Sequence, residues 1–291
     1  MGYIYWIASY PKSGNTWMRA FLTSIVTGDA GDLSLLQGIA PDDNDGSYFQ
    51  NVVKVPLNQA TPADIAAARP HAQRAMAAAA KGFLFLKSHS MLATHLGTLT
   101  ITPDVTAGAI YIVRNPLDVA VSYSEFRNRA LDRTIELMNQ RGRVLDRPAF
   151  GAYQFASSWA DNVESWTRRP HDRLLTLRYE DMLDDPQTSF GKVVTFLQMQ
   201  VEPDAVAGAI ERSSFSALQA TEKERGFRER PKETKEFFRS GRKGEWRERL
   251  TEAQIAKVVQ VNEPQMRRFG YWLDEFDALR ASPRLAGTST G

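Results

Sequence analysis

The run Ser9-Tyr10-Pro11-Lys12-Ser13-Gly14-Asn15-Thr16-Trp17 constrains this chain more than any other stretch. Tyr3 to Ala8, just before it, reads as a buried strand. Behind it, Trp17, Ala20, Phe21, Ser24 and Ile25 recur at helical spacing. The run is therefore a strand, a tight turn and a helix start, with Gly14 relieving the turn of a Cβ clash. The free N–H groups of a first helical turn favour an anion. Lys12 adds a full positive charge, and Ser13, Asn15 and Thr16 add short polar side chains, which makes a phosphate cradle. The glycine and Gly-Lys order of a Walker A loop are absent. Taken alone, the run also fits an ordinary strand-to-helix turn with a surface lysine.

Three further apolar runs end in polar residues. Phe83 to Leu86 leads into Lys87-Ser88-His89, Ala109 to Val113 into Arg114-Asn115-Pro116, and Leu174 to Leu177 into Arg178-Tyr179-Glu180-Asp181. Helical patterns lie between them, including one from Leu117 to Arg129 and one carrying Trp159 and Trp166, both assigned to the core. This alternation predicts a single α/β domain over residues 1–280, with a central parallel sheet flanked by helices. Residues 281–291 read as a disordered tail. In such sheets ligands bind beyond the carboxyl ends of the strands, where these charged residues collect.

The connections are less regular. Thr61 caps an Ala-rich helix with Pro62 at its first position. Asp42-Asp43-Asn44-Asp45-Gly46 lacks EF-hand spacing and reads as a solvated turn. Asn128 to Phe150 is polar and irregular, a lid or an acceptor-side loop. Lys223 to Arg249 holds eleven Lys or Arg against six Glu, a balance of +5, and is either a solvated segment or a lid over an anionic ligand.

Several function classes drop out on composition. With no cysteine there is no disulfide, thiol catalysis or Cys-based zinc site. A net charge of +2 provides no bulk drive toward nucleic acid. No apolar run reaches a membrane-spanning length, and the expected location, without a visible secretory signal, is cytoplasmic. No metal-ligand cluster is visible, so no metal is expected.

Lys12 and Lys87 sit at the ends of two different strands, and His89 follows Lys87 by two residues. A histidine near neutral pKa is a natural general base for a hydroxyl. Arg114 follows its strand directly and Ser122 lies eight residues on, about two turns into the next helix, where a guanidinium grips a separate phosphate. Arg242-Lys243-Gly244 is a second candidate for that phosphate, reaching it from the basic segment. Two anion sites imply a doubly phosphorylated ligand.

With these residues in order, the chain resembles the sulfotransferase family, whose donor is 3′-phosphoadenosine 5′-phosphosulfate. Tyr10 to Trp17 resembles its P-loop-like phosphosulfate loop, and Lys87-Ser88-His89 its catalytic element. Arg114 to Tyr123 resembles its 3′-phosphate motif, and Arg242-Lys243-Gly244-Glu245-Trp246 its C-terminal element. Tyr179-Glu180-Asp181-Met182 is a fifth match. The resemblance implies that Lys12 and the N–H groups of Ser13, Gly14, Asn15 and Thr16 hold the 5′-phosphosulfate. Trp17, Tyr179 and Phe215, which follows Ser213-Ser214, are implied at the adenine. Arg114, Ser122, Arg242, Lys243 and Gly244 are implied at the 3′-phosphate. His89 is implied as base, with Lys12 and Lys87 neutralising the transferring group.

Ser90-Met91 replaces the family's common Leu-Pro after the histidine, and Arg247 to Ala256 departs from its dimer motif, leaving the oligomeric state unassigned. The acceptor is open among small-molecule, lipid and glycan hydroxyls. The alternatives are a P-loop-like nucleotide-dependent kinase and a non-catalytic nucleotide-binding protein.

Overall fold

Strand β1 (Tyr3–Ser9) runs through the middle of the molecule and carries the phosphate loop at its carboxyl end. The computed structural model describes residues 2–28, 33–145 and 151–281. Strands β2 (Phe83–Ser88), β3 (Thr106–Val113) and β4 (Leu174–Arg178) complete a four-stranded sheet in the order β2-β1-β3-β4, every pairing parallel. The four predicted strands are these four, each a residue or more longer than its apolar run. The chain crosses from β2 to β3 over β1, so the strand order reverses at β1, the place where such sheets leave a crevice.

Both faces of β1 are covered, and its side chains alternate accordingly. The first helices are α1 (Asn15–Thr27), α2 (Pro62–Ala79), α3 (Pro116–Phe126), α4 (Leu131–Asn139) and α5 (Trp159–Thr167). They are followed by α6 (Pro186–Phe196), α7 (Pro203–Arg212), α8 (Phe215–Arg225) and α9 (Glu252–Arg268). Ile4, Trp6 and Ala8 pack with Ala72 and Met76 of α2, Val119 of α3, Trp159 and Trp166 of α5 and Val259 of α9. Ile7, Ile110 and Ile112 pack on the other face with Phe21 of α1, Phe190 of α6 and Ala209 of α7. Thr61 and Asp64 form a full capping box on α2, and Asn115 caps α3 with Pro116 at its first position.

Three expectations are corrected. The stretch from 128 to 150 is not irregular throughout: α4 occupies Leu131–Asn139 and buries Thr134, Ile135 and Met138 at helical spacing. The preceding helix stops at Phe126 rather than Arg129, and residues 146–150 lie outside the described residues. The Asp42–Gly46 stretch is not a solvated turn. Asp42 bridges alongside Lys87, with Lys87 N donating to Pro41 O at 2.8 Å and Asp43 N to Lys87 O at 2.9 Å. The stretch thus covers the open edge of β2, and Asp43 is fully buried. The tail expected over 281–291 lies outside the described residues, apart from Ala281 at the end of a short helix, Glu275–Ala281.

Candidate active site

The phosphate loop departs from ordinary backbone where it turns. Gly14 has φ 105°, and a Cβ there would come within 2.7 Å of the Tyr179 ring, so glycine is required on two counts. Lys12 holds φ 65°, a left-handed conformation that costs a non-glycine residue about 1 kcal/mol. Asn15 fastens the loop to the strand beneath it: its Nδ2 donates to Ile7 O at 2.8 Å and to Ser9 Oγ at 3.3 Å. Four polar atoms in and around the loop are buried with no partner among the described residues: Ser13 Oγ, Asn15 Oδ1, Trp17 Nε1 and Arg114 Nε. Buried polar atoms of this kind are costly unless something bonds them.

A cavity of about 450 Å³ opens beside the loop, at the carboxyl ends of β1, β2 and β3. Lys12 Nζ lies between two rings, 4.3 Å from the centroid of Phe126 and 4.1 Å from that of Phe237. Burial, then the neighbouring charges of Arg114 and Lys87, bring its pKa down to about 7. Lys87 Nζ donates to Asp42 at 2.8 Å and to Glu229 at 3.3 Å. Burial pulls on that lysine too, but the two carboxylates outweigh it and hold its pKa above the ordinary value.

His89 Nδ1 lies 2.8 Å from the carbonyl oxygen of Ser9, which can only accept. The proton therefore stands on Nδ1, and Nε2 keeps its lone pair. Burial and the charge of Lys87 lower the imidazole pKa to about 4, so the ring is neutral at physiological pH. Arg114 ties three segments together. One guanidinium nitrogen donates to Lys12 O at 3.0 Å, another to Arg242 O at 3.1 Å, and the group lies 4.3 Å over the Tyr179 ring.

Residues 5–270 match the family model for the sulfotransferase domain. The chain belongs to the sulfotransferase family. It is 27% identical to sulfotransferase 1 family member D1 of Rattus norvegicus, over 86% of this chain and 79% of that protein. It is 26% identical to flavonol 3-sulfotransferase of Flaveria bidentis, over 87% of this chain and 78% of that one. Two solved structures share the fold. Retinol dehydratase in complex with androsterone and inactive cofactor PAP aligns with a TM-score of 0.62 at 18% identity, over 90% of this chain and 80% of that one. Mouse sulfotransferase SULT7A1 complexed with PAP aligns at 0.60 with 20% identity, over 96% and 88%.

In this sulfotransferase domain Lys12, Gly14, Asn15, Thr16, Trp17, Lys87, His89, Arg114, Ser122, Tyr179 and Phe215 all line the one cavity. Others stand behind or beside it. Ser13 is buried in the loop. Ser213 is buried at the end of α7 with its hydroxyl on Ile210 O. The Arg242 side chain pairs with Glu245, Lys243 pairs with Asp184, and Gly244 N donates to Asp118 at 2.7 Å. The two cations sit in surface ion pairs, and the glycine that lines the cavity is Gly241, against the Phe215 ring.

Sequence reasoning missed Glu229, Phe237 and Phe238, three cavity residues inside the charge-dense segment. It read that segment by its charge balance, although paired aromatics in a charged run are a signal of contact with the body of the protein. Glu229 is the deepest of the three in electrostatic terms. Its Oε1 takes Arg19 at 2.6 Å and Gln37 at 2.8 Å while Oε2 takes Lys87. Burial alone would raise its pKa, but Lys87 and Arg19 hold it well below the carboxylate range. The Arg19 guanidinium is fully buried, and its other bond among the described residues goes to Ala40 O. Glu229→Ala strands that charge and is expected to destabilise the fold by about 3 kcal/mol, read from urea unfolding midpoints.

Proposed function

We propose that this chain transfers a sulfuryl group from 3′-phosphoadenosine 5′-phosphosulfate to an acceptor hydroxyl by in-line displacement. One observation carries the reading: a neutral imidazole with a free Nε2 shares a cavity with lysines from the ends of two adjacent strands and a separate buried guanidinium. The residues fit such a donor. Ser13 Oγ, Asn15 Oδ1, Trp17 Nε1 and Arg114 Nε are buried polar atoms without partners among the described residues, set around a loop whose Gly14 leaves no room for a Cβ. The donor supplies the sulfuryl group on a good leaving group.

The chain's own residues do the rest. The loop N–H groups and Lys12 bind the 5′ end, and Arg114 and Ser122 bind the 3′-phosphate. Trp17, Tyr179 and Phe215 hold the adenine. His89 Nε2 takes the acceptor proton, and Ser9 O steadies the resulting imidazolium through Nδ1–H. Lys12 and Lys87 set positive charge where equatorial oxygen charge grows. The kinase reading is weaker, because the Walker A order is missing and the family match lies elsewhere. Among the described residues no helix is long and apolar enough to cross a membrane.

The direct test is calorimetric titration with 3′-phosphoadenosine 5′-phosphate without magnesium, beside ATP with magnesium. Metal-free binding of the bisphosphate supports the reading, and binding of ATP alone, only with magnesium, overturns it. A pH profile follows from the same groups. His89 must be neutral to act, and with its pKa lowered to about 4 it is neutral above that pH. Lys12 must be charged, and with its pKa lowered to about 7 it is charged below that pH. In the free enzyme kcat/KM should therefore rise through about pH 4 and fall through about pH 7. The anionic donor favours the charged lysine, so the basic limb of kcat should lie higher. Lys12→Arg should move the basic limb of kcat/KM upward, whereas an unmoved limb would assign it to another group.

A further inference from the structure

We infer that the acceptor end of this cavity is built for a hydroxyl-rich polar acceptor, a polyol or a glycoside, rather than an apolar alcohol or phenol. The inference rests on the sulfotransferase reading and adds a substrate class to it. Its basis is the segment that the sequence presented as a solvated turn. Asp42 and Asn44 line the cavity, and so does Gln154, beside His89 and Lys87.

These polar groups are fixed to the same frame as the base. The buried Asp43 carboxylate accepts from Ser88 Oγ at 2.7 Å and from Gln154 Nε2. Ser88 immediately precedes His89. Ala152 N donates to Asn44 O at 2.8 Å, and Met91 N donates to Phe155 O at 2.8 Å, which clips the 42–44 and 152–155 stretches to the strand end that carries His89. The Asn44 backbone, the Gln154 side chain and the strand end that carries His89 therefore hold their relative positions through a bonded network, and the Asn44 side chain is carried on that frame.

Two of these groups have bonding capacity left over. The Asn44 amide has no hydrogen-bond partner among the described residues, and it is half-buried. Gln154 is only 4% exposed, and with Nε2 on Asp43 its carbonyl oxygen has no partner among the described residues. Water serves both groups while the cavity is open. An acceptor that seats beside His89 displaces that water. A ligand rich in hydroxyls replaces its bonds, donating to Gln154 Oε1 and exchanging both senses of bond with Asn44. An apolar ring leaves the groups buried and unpaired, and sites built to bond a hydroxyl reject analogues lacking it far more strongly than apolar pockets discriminate by size.

The test uses the full chain with the phosphosulfate donor and four acceptors: myo-inositol, methyl α-D-glucopyranoside, cyclohexanol and 2-naphthol. Release of the bisphosphate product is measured by chromatography. At least one of the first two should exceed cyclohexanol in kcat/KM by about 10²-fold. Asn44→Leu, a half-exposed position without a bond to lose, should cut that ratio by about tenfold, chiefly through KM, with affinity for the bisphosphate unchanged. Whichever polar acceptor is preferred separates a free polyol from a glycoside. Better turnover of cyclohexanol or 2-naphthol overturns the inference, as does no turnover of either polar acceptor by protein that binds the bisphosphate. A ratio untouched by Asn44→Leu also overturns it. Protein that does not bind the bisphosphate at all fails the sulfotransferase reading instead, and this inference falls with it.

Discussion

His89→Ala is expected to lower kcat by about 10²–10⁴-fold while the affinity for 3′-phosphoadenosine 5′-phosphate stays within about twofold. The split follows from the geometry. The ring's close bond runs from Nδ1 to Ser9 O, with Ser9 Oγ at 3.5 Å, so it meets only the first residue of the loop run and contributes Nε2 to the cavity. The loop is held by Asn15 on Ile7 O and by Arg114 on Lys12 O, neither of which involves the histidine. Removing a base that acts only as the acceptor loses its proton leaves ground-state binding intact. His89→Asn keeps a donor toward Ser9 O without a base and should be as slow as the alanine variant. Stopped turnover with unchanged calorimetric titration is the supporting result. A parallel loss of bisphosphate affinity would instead make His89 a structural histidine of the β2 end.

The strands and the phosphate loop were legible because local pattern decides them. Tyr3 to Ala8 is apolar on both faces because helices cover both faces of β1, and Gly14 is forced by a turn within the same dozen residues. The Asp42–Asn44 side of the cavity was not legible, because its meaning lies in partners far away in sequence. Asp42 looks solvated until Lys87, 45 residues on, is set against it, and Asp43 until Ser88 and Gln154 are. Glu229 hid in the same way among bases that never touch it, since its partners are Arg19, Gln37 and Lys87. Helix α4 is a different failure. Thr134, Ile135 and Met138 carry the helical spacing, but polar neighbours on the outer face masked it. The resemblance at Arg242-Lys243-Gly244 marked a segment that meets Arg114, yet it could not say that a backbone carbonyl, Arg242 O, makes that contact while the two side chains pair at the surface with Glu245 and Asp184.

That carbonyl makes Arg114 the second residue whose loss should be large. Arg114→Ala is expected to weaken the bisphosphate by about 10²–10³-fold, or about 3–4 kcal/mol. Two losses combine. A guanidinium in a dry site gives charge-assisted bonds that water does not replace, each worth about 1.5–3 kcal/mol. The same group also bonds Lys12 O and Arg242 O, so its removal frees the strained Lys12 backbone and unhooks the C-terminal segment from the loop. The two are separable with a truncated ligand. Adenosine 5′-phosphate lacks the 3′-phosphate but uses the same loop and adenine contacts. If Arg114 acts mainly on the 3′-phosphate, the variant should bind adenosine 5′-phosphate almost as wild type does while losing the bisphosphate. If both ligands weaken equally, Arg114 is a tie between segments and the 3′-phosphate is held elsewhere. Arg114→Lys sharpens the comparison, since it keeps the charge but cannot span Lys12 O and Arg242 O with one planar fork. Its bisphosphate affinity should fall between wild type and alanine, because the ammonium keeps the positive charge while the planar geometry that bonds both carbonyls is lost.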